Sequence, residues 1–371
     1  MNRERVLGWD LLRGLCALAV ALYHVLGWEG VAELYPLGSY GVYMFFVLSG
    51  ASLAFNHAGQ LGTPRAVGAF LLARWVRLAP LYAIVCGLSL LLFSLHNGAP
   101  VDDIPSRLAW NLSFAFGLND PALSAIAIGG WSLGIEALYY LAFPLLAAAA
   151  ARRRRAIAAG FALCALQFAW IAHTVGAAAG YRAGAVAYHQ APAFAAYFFG
   201  GCVIGVARRR GAQRWPASAA ALACAAFGLL LFAAAGPRQG DELLGWRAPV
   251  LLAACLAVVW VCGQARVGGR LGAAAQWLGD ATYGCYLLHP LWFFGLAWFA
   301  LPALGIGAGA QAAWRWPLLA AVPVLSCLCA VASERWLERP LRRLARPARR
   351  RRMPLQQPEY KGTFPTNSPQ Q

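Results

Sequence analysis

Charge is what this sequence lacks. Only 12% of its 371 residues are Asp, Glu, Lys or Arg, while 60% are apolar; soluble globular domains carry about 25% charge. No soluble fold hides that much apolar surface, so a soluble enzyme is excluded as the frame. The chain also lacks any boundary that would mark a second folded domain before about residue 337. It lacks cysteines outside its apolar runs: all ten, from Cys16 to Cys329, fall inside them, read as small buried residues, and offer no disulfide framework. Cys327 and Cys329, two residues apart, point to different faces of a helix and make no metal motif. No trustworthy internal repeat relates the two halves, which weighs against an inverted-repeat transporter.

What is there is a succession of apolar runs of about 20 residues, the length that crosses ~30 Å of hydrocarbon at 1.5 Å per residue. Ten of them, at 6–27, 39–58, 72–95, 131–150, 156–175, 190–207, 216–235, 247–264, 276–301 and 312–336, predict an all-α polytopic integral membrane protein. A further apolar stretch at 106–118 is too short to count as a span. The net charge of +17 sorts by side. With a cytoplasmic N-terminus, 25 of the 31 basic residues face inward, among them Arg3, Arg5, Arg65, Arg74, Arg77, Arg152 to Arg155, Arg208 to Arg210, Arg214 and Lys361. The outer segments and borders keep Arg107, Arg182, Arg238, Arg247 and Arg315. This is the positive-inside pattern. It predicts both termini in the cytoplasm and accounts for the charge without nucleic acid.

Arg3 and Arg5 open the chain as in a signal peptide, but the run behind them is too long and carries Asp10 and Arg13, so it is expected to stay as a first span. The domain reading is a membrane domain at 1–343 followed by a tail at 344–371 that is basic, then rich in Pro, Gln and Ser. That tail is expected to be disordered beside anionic lipid headgroups. The longest connection, 96–130, holds Asp102, Asp103, Pro105, Asp120 and Pro121 and reads either as a cap over an outward-facing cavity or as a solvated loop.

An ionisable side chain within a span costs ~2.5–3.5 kcal/mol on insertion scales, so each is a functional candidate. Arg13 and His24, eleven residues apart, share one face of the first span about 16 Å apart along its axis. Asp10 neutralises Arg13 at helix spacing; the bland reading of His24 is a side chain that snorkels to the outer interface. Glu136, in Trp131-Ser132-Leu133-Gly134-Ile135-Glu136, is expected about one and a half turns below the outer surface, at the depth of His24. Were those spans neighbours, Glu136 would orient the imidazole as a general base requires. Ser49 and Gly50, after Phe45-Phe46, suit a tight helix contact. Arg74 and Arg77, on one face before Pro80 and Tyr82, form a fork that suits phosphate, although positive-inside placement accounts for them as well. Tyr283, Tyr286 and His289-Pro290 form a polar, kinkable patch in which His289 reads first as a hydrogen-bonded structural group. Glu334-Arg335 and Glu338-Arg339-Pro340 pair charges at the inner end of the last span. His57, His96, His173 and His189 are assigned no role.

Taken in order, these segments resemble the acyltransferase-3 family, bacterial membrane O-acyltransferases of lipopolysaccharide, peptidoglycan, nodulation factors and exopolysaccharides. The likeness runs from residue 6 to about 343. It rests on Asp10, Arg13 and His24; on Phe45, Phe46, Ser49 and Gly50; on Arg74, Arg77, Pro80 and Tyr82; on Trp131, Ser132, Leu133 and Glu136; and on Glu338, Arg339 and Pro340. The late Tyr-x-x-x-His-Pro is met loosely, His289 following Tyr286 by three. Gly8-Trp9 before Asp10 and Ala137 after Glu136 depart from the usual residues without removing a proposed catalytic group. Some relatives carry an extra hydrolase-like domain outside the membrane; a membrane-only transferase of the bacterial inner membrane is implied here.

The resemblance implies acetyl-CoA as acyl donor and no metal. The donor's phosphates are expected near Arg74 and Arg77 and its arm past Arg13, with the thioester approaching His24. His24, held by Glu136, would deprotonate a sugar hydroxyl or accept the acetyl group first. Asp10, Ser49, Trp131, Ser132, His289, Glu338 and Arg339 are accessory. The acceptor implied is an exopolysaccharide or a polyprenyl-linked oligosaccharide, with membrane lipids and a polysaccharide assembly complex as further partners. The rivals are a proton-coupled transporter, in which Asp10, Arg13, His24 and Glu136 relay protons or bind an exported anion, and a non-catalytic partner in glycan assembly.

Overall fold

The computed structural model describes residues 5–99, 102–178, 180–211, 215–306 and 311–344; among them ten helices are long and apolar enough to cross a membrane, and no strand occurs. In chain order the helices used below are α1 (Leu7–Trp28), α2 (Tyr35–His57), α3 (Pro64–Asn97), the short α4 (Ile104–Leu112), α5 (Trp131–Ala150), α6 (Arg153–Ile171), α7 (Ala195–Arg210), α8 (Ala217–Ala234), α9 (Arg247–Gln264), α10 (Gly269–Gly295), α11 (Gln311–Ser333) and α12 (Arg339–Leu344). The protein is a multi-pass membrane protein, and its helices follow the ten apolar runs closely. The third and ninth runs lengthen, the ninth to a start at Gly269 rather than 276. Thr63 accepts a hydrogen bond from the Ala66 N–H at 3.2 Å and Pro64 takes the first helical position, so α3 starts there rather than at 72. It stops at Gly98, whose φ of +65° suits a residue without a Cβ. Arg3, Arg214, Lys361, the arginines beyond Arg343 and the tail at 345–371 lie outside the described residues.

Alternate helices run in opposite directions, so the arginines of successive connections collect at one end of the bundle. There the Arg208 Nε donates to the Gly263 carbonyl at 2.7 Å, Arg209 donates to the Ala58 carbonyl, and Arg210 to that of Ala151. These bonds tie the ends of α2, α5, α7 and α9 together. At the opposite end Arg315 lies 3.8 Å from Glu29, and the Tyr35 hydroxyl donates to the Gly236 carbonyl at 2.7 Å.

The core forms where α2 packs on α7, α1 lies between α2 and α10, and α10 packs on α11. Gly50 and Gly201 make the first of these contacts possible: a Cβ at Gly50 would lie 2.1 Å from the Phe198 carbonyl oxygen, and one at Gly201 would lie 2.1 Å from that of Val47. The tight-contact reading of the Ser49-Gly50 pair therefore holds for the glycine.

The connection at 96–130 is neither a free loop nor an outer cap in its described part. It folds back along α3: the Trp75 indole N–H donates to the Leu112 carbonyl at 2.9 Å, although ~33 Å of helix separates Trp75 from Asn97. Asn111, 1% exposed, is its anchor. Its Oδ1 accepts from the Tyr82 hydroxyl at 2.8 Å and from the Ile126 N–H at 3.0 Å, while its Nδ2 donates to the Ser124 carbonyl at 3.0 Å. A buried amide with its acceptor and donor both used replaces the water that a loop backbone otherwise needs. Consequently α5 begins beneath this folded-back segment, with Gly134 against Gly117, well inside the level that α3 reaches.

Candidate functional site

A cavity of about 410 Å³ runs from the arginine-rich end into the middle of the bundle. Its mouth is a chain of ion pairs. Asp280 accepts from Arg5 at 2.9 Å and from Arg339 at 2.6 Å; Arg339 also reaches Glu334 at 3.0 Å, and Arg342 bridges Glu334 and Glu338. These bonds join the start of α1, the first half of α10 and the end of the last span. Charges do pair at the inner end of the last span, but with other partners than their neighbours in sequence: Glu334 takes Arg339 and Arg342, Glu338, 3% exposed, takes Arg342, and Arg335 makes no ion pair among the described residues. Asp280 escaped the sequence reading, although a carboxylate inside an expected span was the signal to follow.

Deeper in, Arg13, Arg74, Arg77 and Glu136 line the same cavity. Asp10 holds Arg13 at 3.2 Å, as their spacing predicts, and is shared with Arg5. The other arm of Arg13 donates to the Ser52 hydroxyl at 2.7 Å, which fixes the guanidinium against α2. Arg74 is buried, its guanidinium 5.8 Å from the Phe70 ring centre. Arg77 has no carboxylate within ion-pair distance among the described residues. Three guanidiniums beside one carboxylate suit an anionic or strongly dipolar ligand.

Glu136 is not paired with His24. Its Oε1 accepts from the Ser49 hydroxyl and from the Tyr140 hydroxyl, both at 2.6 Å. Ser49 is thus a partner of the carboxylate rather than a packing residue. The physical reason lies in the folded-back segment, which starts α5 deep in the bundle and sets Glu136 among Ser49, Arg13 and Arg77 instead of at the depth of His24. Tyr140, one turn after Glu136, is the i,i+4 neighbour that helix spacing places beside the carboxylate.

His24 pairs with His289 on α10, the neighbour that α1 packs against. The His24 Nδ1 and His289 Nε2 are 2.9 Å apart, with the rings nearly parallel at 12°, and the Trp28 ring lies against both, 5.1 Å from His24 and 6.0 Å from His289. His289 is 0% exposed, and its Nδ1 lies 3.3 Å from the Cys285 carbonyl. A carbonyl only accepts, so in neutral rings the His289 Nδ1 carries a proton and its Nε2 is the acceptor. The His24 Nδ1 must then be the donor, which leaves the lone pair on the His24 Nε2 available as a base. Neither histidine lines the cavity. Farthest from the mouth the cavity is lined by Val42, Phe45, Ser132 and Tyr286, and the imidazole pair lies one turn of α10 beyond Tyr286, with ring centres of Tyr286 and His289 6.3 Å apart.

The wall between them is hydrogen-bonded. The Tyr286 hydroxyl donates to the Gly129 carbonyl at 2.9 Å and lies 3.0 Å from the Ser132 hydroxyl. Trp131, next in line, packs on His189 and Phe194. Among the described residues no three His, Cys, Asp or Glu side chains are grouped to hold a metal ion.

The geometry thus sets a cationic cavity beside a buried imidazole pair within a membrane-spanning bundle. Comparison with known proteins supplies the family. The curated proteins and the solved structures yielded no match. A family model described as an acyltransferase domain, however, matches residues 6–333, which takes in the nine spans from α1 to α10 and all of α11. Matched over most of its length, the chain belongs to the acyltransferase-3 family.

Proposed function

We propose that this membrane acyltransferase is an O-acetyltransferase of the bacterial inner membrane. With both termini in the cytoplasm, it would move acetyl from cytoplasmic acetyl-CoA to a hydroxyl of an exopolysaccharide or a lipid-linked glycan. One observation carries the reading: Arg13, Arg74 and Arg77 surround a cavity whose mouth is at the arginine-rich end and whose closed end lies one helical turn from the His24–His289 pair. The residues suit the donor. Guanidiniums match its phosphates and carbonyls, and Glu136, bonded only through Oε1 among the described residues, keeps Oε2 for an amide N–H of the pantetheine arm.

His24 is the base of the proposed reaction. Its Nε2 takes the proton of the acceptor hydroxyl as that oxygen bonds to the acyl carbon. The carbon–sulfur bond breaks, and the proton passes from His24 to the departing sulfur. His289 holds the tautomer, and Arg13, Arg74 and Arg77 hold the donor. Because Phe45, Ser132 and Tyr286 close the cavity short of His24, the wall they form has to open for the acyl group to reach the imidazole.

The test is reconstitution in vesicles with acetyl-CoA supplied at the arginine-rich side, following thiol release together with the acceptor's gain of about 42 Da per acetyl group. Both should appear with the wild-type protein and neither with His24→Ala inserted at equal abundance. Movement of substrate across the vesicle without thiol release would refute the reading and favour a transporter.

A further inference from the structure

A second cavity, of about 400 Å³, opens on the outside of the bundle between α6, α7 and α9. All its lining residues are apolar. On α6 they are Ala156, Gly160 and Cys164, one residue per turn, so a stripe of small side chains runs ~12 Å along the helix. Phe199 and Leu256 form the floor, and Trp260, 36% exposed, stands at the side. The groove exists because Gly160 leaves it open: a Cβ built there meets only the Phe199 ring edge, at 3.9 Å.

One end of the groove is strongly charged. Ala156 directly follows Arg152, Arg153, Arg154 and Arg155, all exposed and none within ion-pair distance of a carboxylate among the described residues. They crowd the start of α6, whose first turn has no side-chain cap. Four like charges beside the positive end of a helix dipole repel one another and the helix. An anion at that point satisfies both, and an apolar tail attached to it fits the groove directly beneath.

We propose that this groove binds an anionic glycerophospholipid, with one acyl chain along Ala156, Gly160 and Cys164 and the phosphate among Arg153, Arg154 and Arg155. The charge complementarity selects the occupant: a zwitterionic phospholipid would fill the groove but leave the arginines uncompensated. The site lies on the opposite flank of α7 from α2 and shares no lining residue with the arginine-lined cavity.

The experiment is native mass spectrometry of the full chain, released from detergent after equilibration with equal amounts of phosphatidylglycerol and phosphatidylethanolamine. The wild-type protein should retain phosphatidylglycerol in preference. Each arginine near an anionic headgroup contributes roughly fivefold, so the preference should be on the order of tenfold to a hundredfold. Gly160→Leu, which fills the groove, and separately Ala156→Leu should abolish retention of the lipid. The triple change Arg153→Gln, Arg154→Gln, Arg155→Gln should remove the preference while keeping a bound chain. Equal retention of both lipids by the wild-type protein would overturn the proposal. So would undiminished retention in the leucine variants, or displacement of the lipid by millimolar inorganic phosphate alone, which would reduce the site to an anion patch. Should one leucine variant fail to insert, the other and the arginine triple still decide the outcome.

Discussion

Replacing His289 tests whether the imidazole pair is a working base or only a packed contact. In His289→Leu the His24 Nδ1–H loses its acceptor in a place that water does not reach, since His289 is 0% exposed. An unsatisfied buried donor costs ~1–3 kcal/mol. The ring relieves that cost by turning or by changing tautomer, and either response takes the Nε2 lone pair away from the acceptor hydroxyl. At about 1.4 kcal/mol per factor of ten, the loss in kcat is roughly 5-fold to 150-fold. KM for acetyl-CoA should hardly change, because His289 does not line the cavity. His289→Gln keeps a side-chain carbonyl near the position of Nε2 and should recover most of the rate. The assay is thiol release at saturating acetyl-CoA, with acetylated product measured in parallel. If His289→Leu retains full kcat, or if the Gln variant is as slow as the Leu variant at equal abundance, the tautomer argument is wrong.

The other perturbations address different parts of the molecule. Ser49→Ala removes one of the two hydroxyls that hold the Glu136 Oε1; a bond to a charged group is worth ~1.5–3 kcal/mol, so kcat/KM should fall roughly 10-fold to 100-fold, and unchanged kinetics would remove Ser49 from the site. Asp280→Asn breaks two ion pairs at the cavity mouth, but this carboxylate is a quarter exposed, so the thermal midpoint should drop by no more than ~1 kcal/mol equivalent and 1 M salt should erase the difference. Glu242 sits in the connection between α8 and α9, fully buried, where burial pushes its carboxyl from an ordinary value near 4.5 up to about 7. A carboxyl whose folded pKa is raised favours the fold while protonated; its contribution, roughly 3 kcal/mol, is complete below pH 4.5 and lost as pH rises through 7. Thermal stability should therefore fall between pH 5 and 8 in the wild-type protein and stay level in Glu242→Gln; a wild-type midpoint that rises with pH would contradict the assignment.

The ten helices were legible because a membrane span is written in one dimension: an apolar run of the right length, bracketed by arginines, needs no knowledge of its neighbours. The ends that shifted did so for local reasons, as at Thr63-Pro64, where the cap lengthens α3. The site was legible in its members but not in its pairings. Arg13, Arg74, Arg77 and Glu136 do meet around one cavity, and Asp10 does hold Arg13. His24 and Glu136 do not meet, because adjacency between spans depends on packing: α1 lies against α10, so His24 finds His289, a residue that alone read as structural. The depth of Glu136 is not written in the sequence for a related reason. Nothing in the apolar stretch at 106–118 announces that it will fold back along α3 through Asn111, and that fold sets where α5 starts. Asp280 is the one omission that the sequence could have prevented, since the cost of a carboxylate in a span already marked it.

The separation of the base from the cavity bears on how a membrane transferase protects its donor. On the proposed reaction, a thioester held among Arg13, Arg74 and Arg77 would face the mouth on one side and the wall of Phe45, Ser132 and Tyr286 on the other. If His24 opened directly into the cavity, water entering with the acceptor would meet a base and an acyl donor together and hydrolysis would compete with transfer. The wall removes that path at rest. It is held by the Tyr286 hydroxyl between the Gly129 carbonyl and Ser132, bonds that join α10 to the start of α5. On the proposed reaction, an acceptor arriving from the end opposite the arginines presses on these same elements, and its own hydroxyls can replace the bonds it breaks. The base would then meet the acyl carbon when an acceptor is present and stay apart from it when only water is.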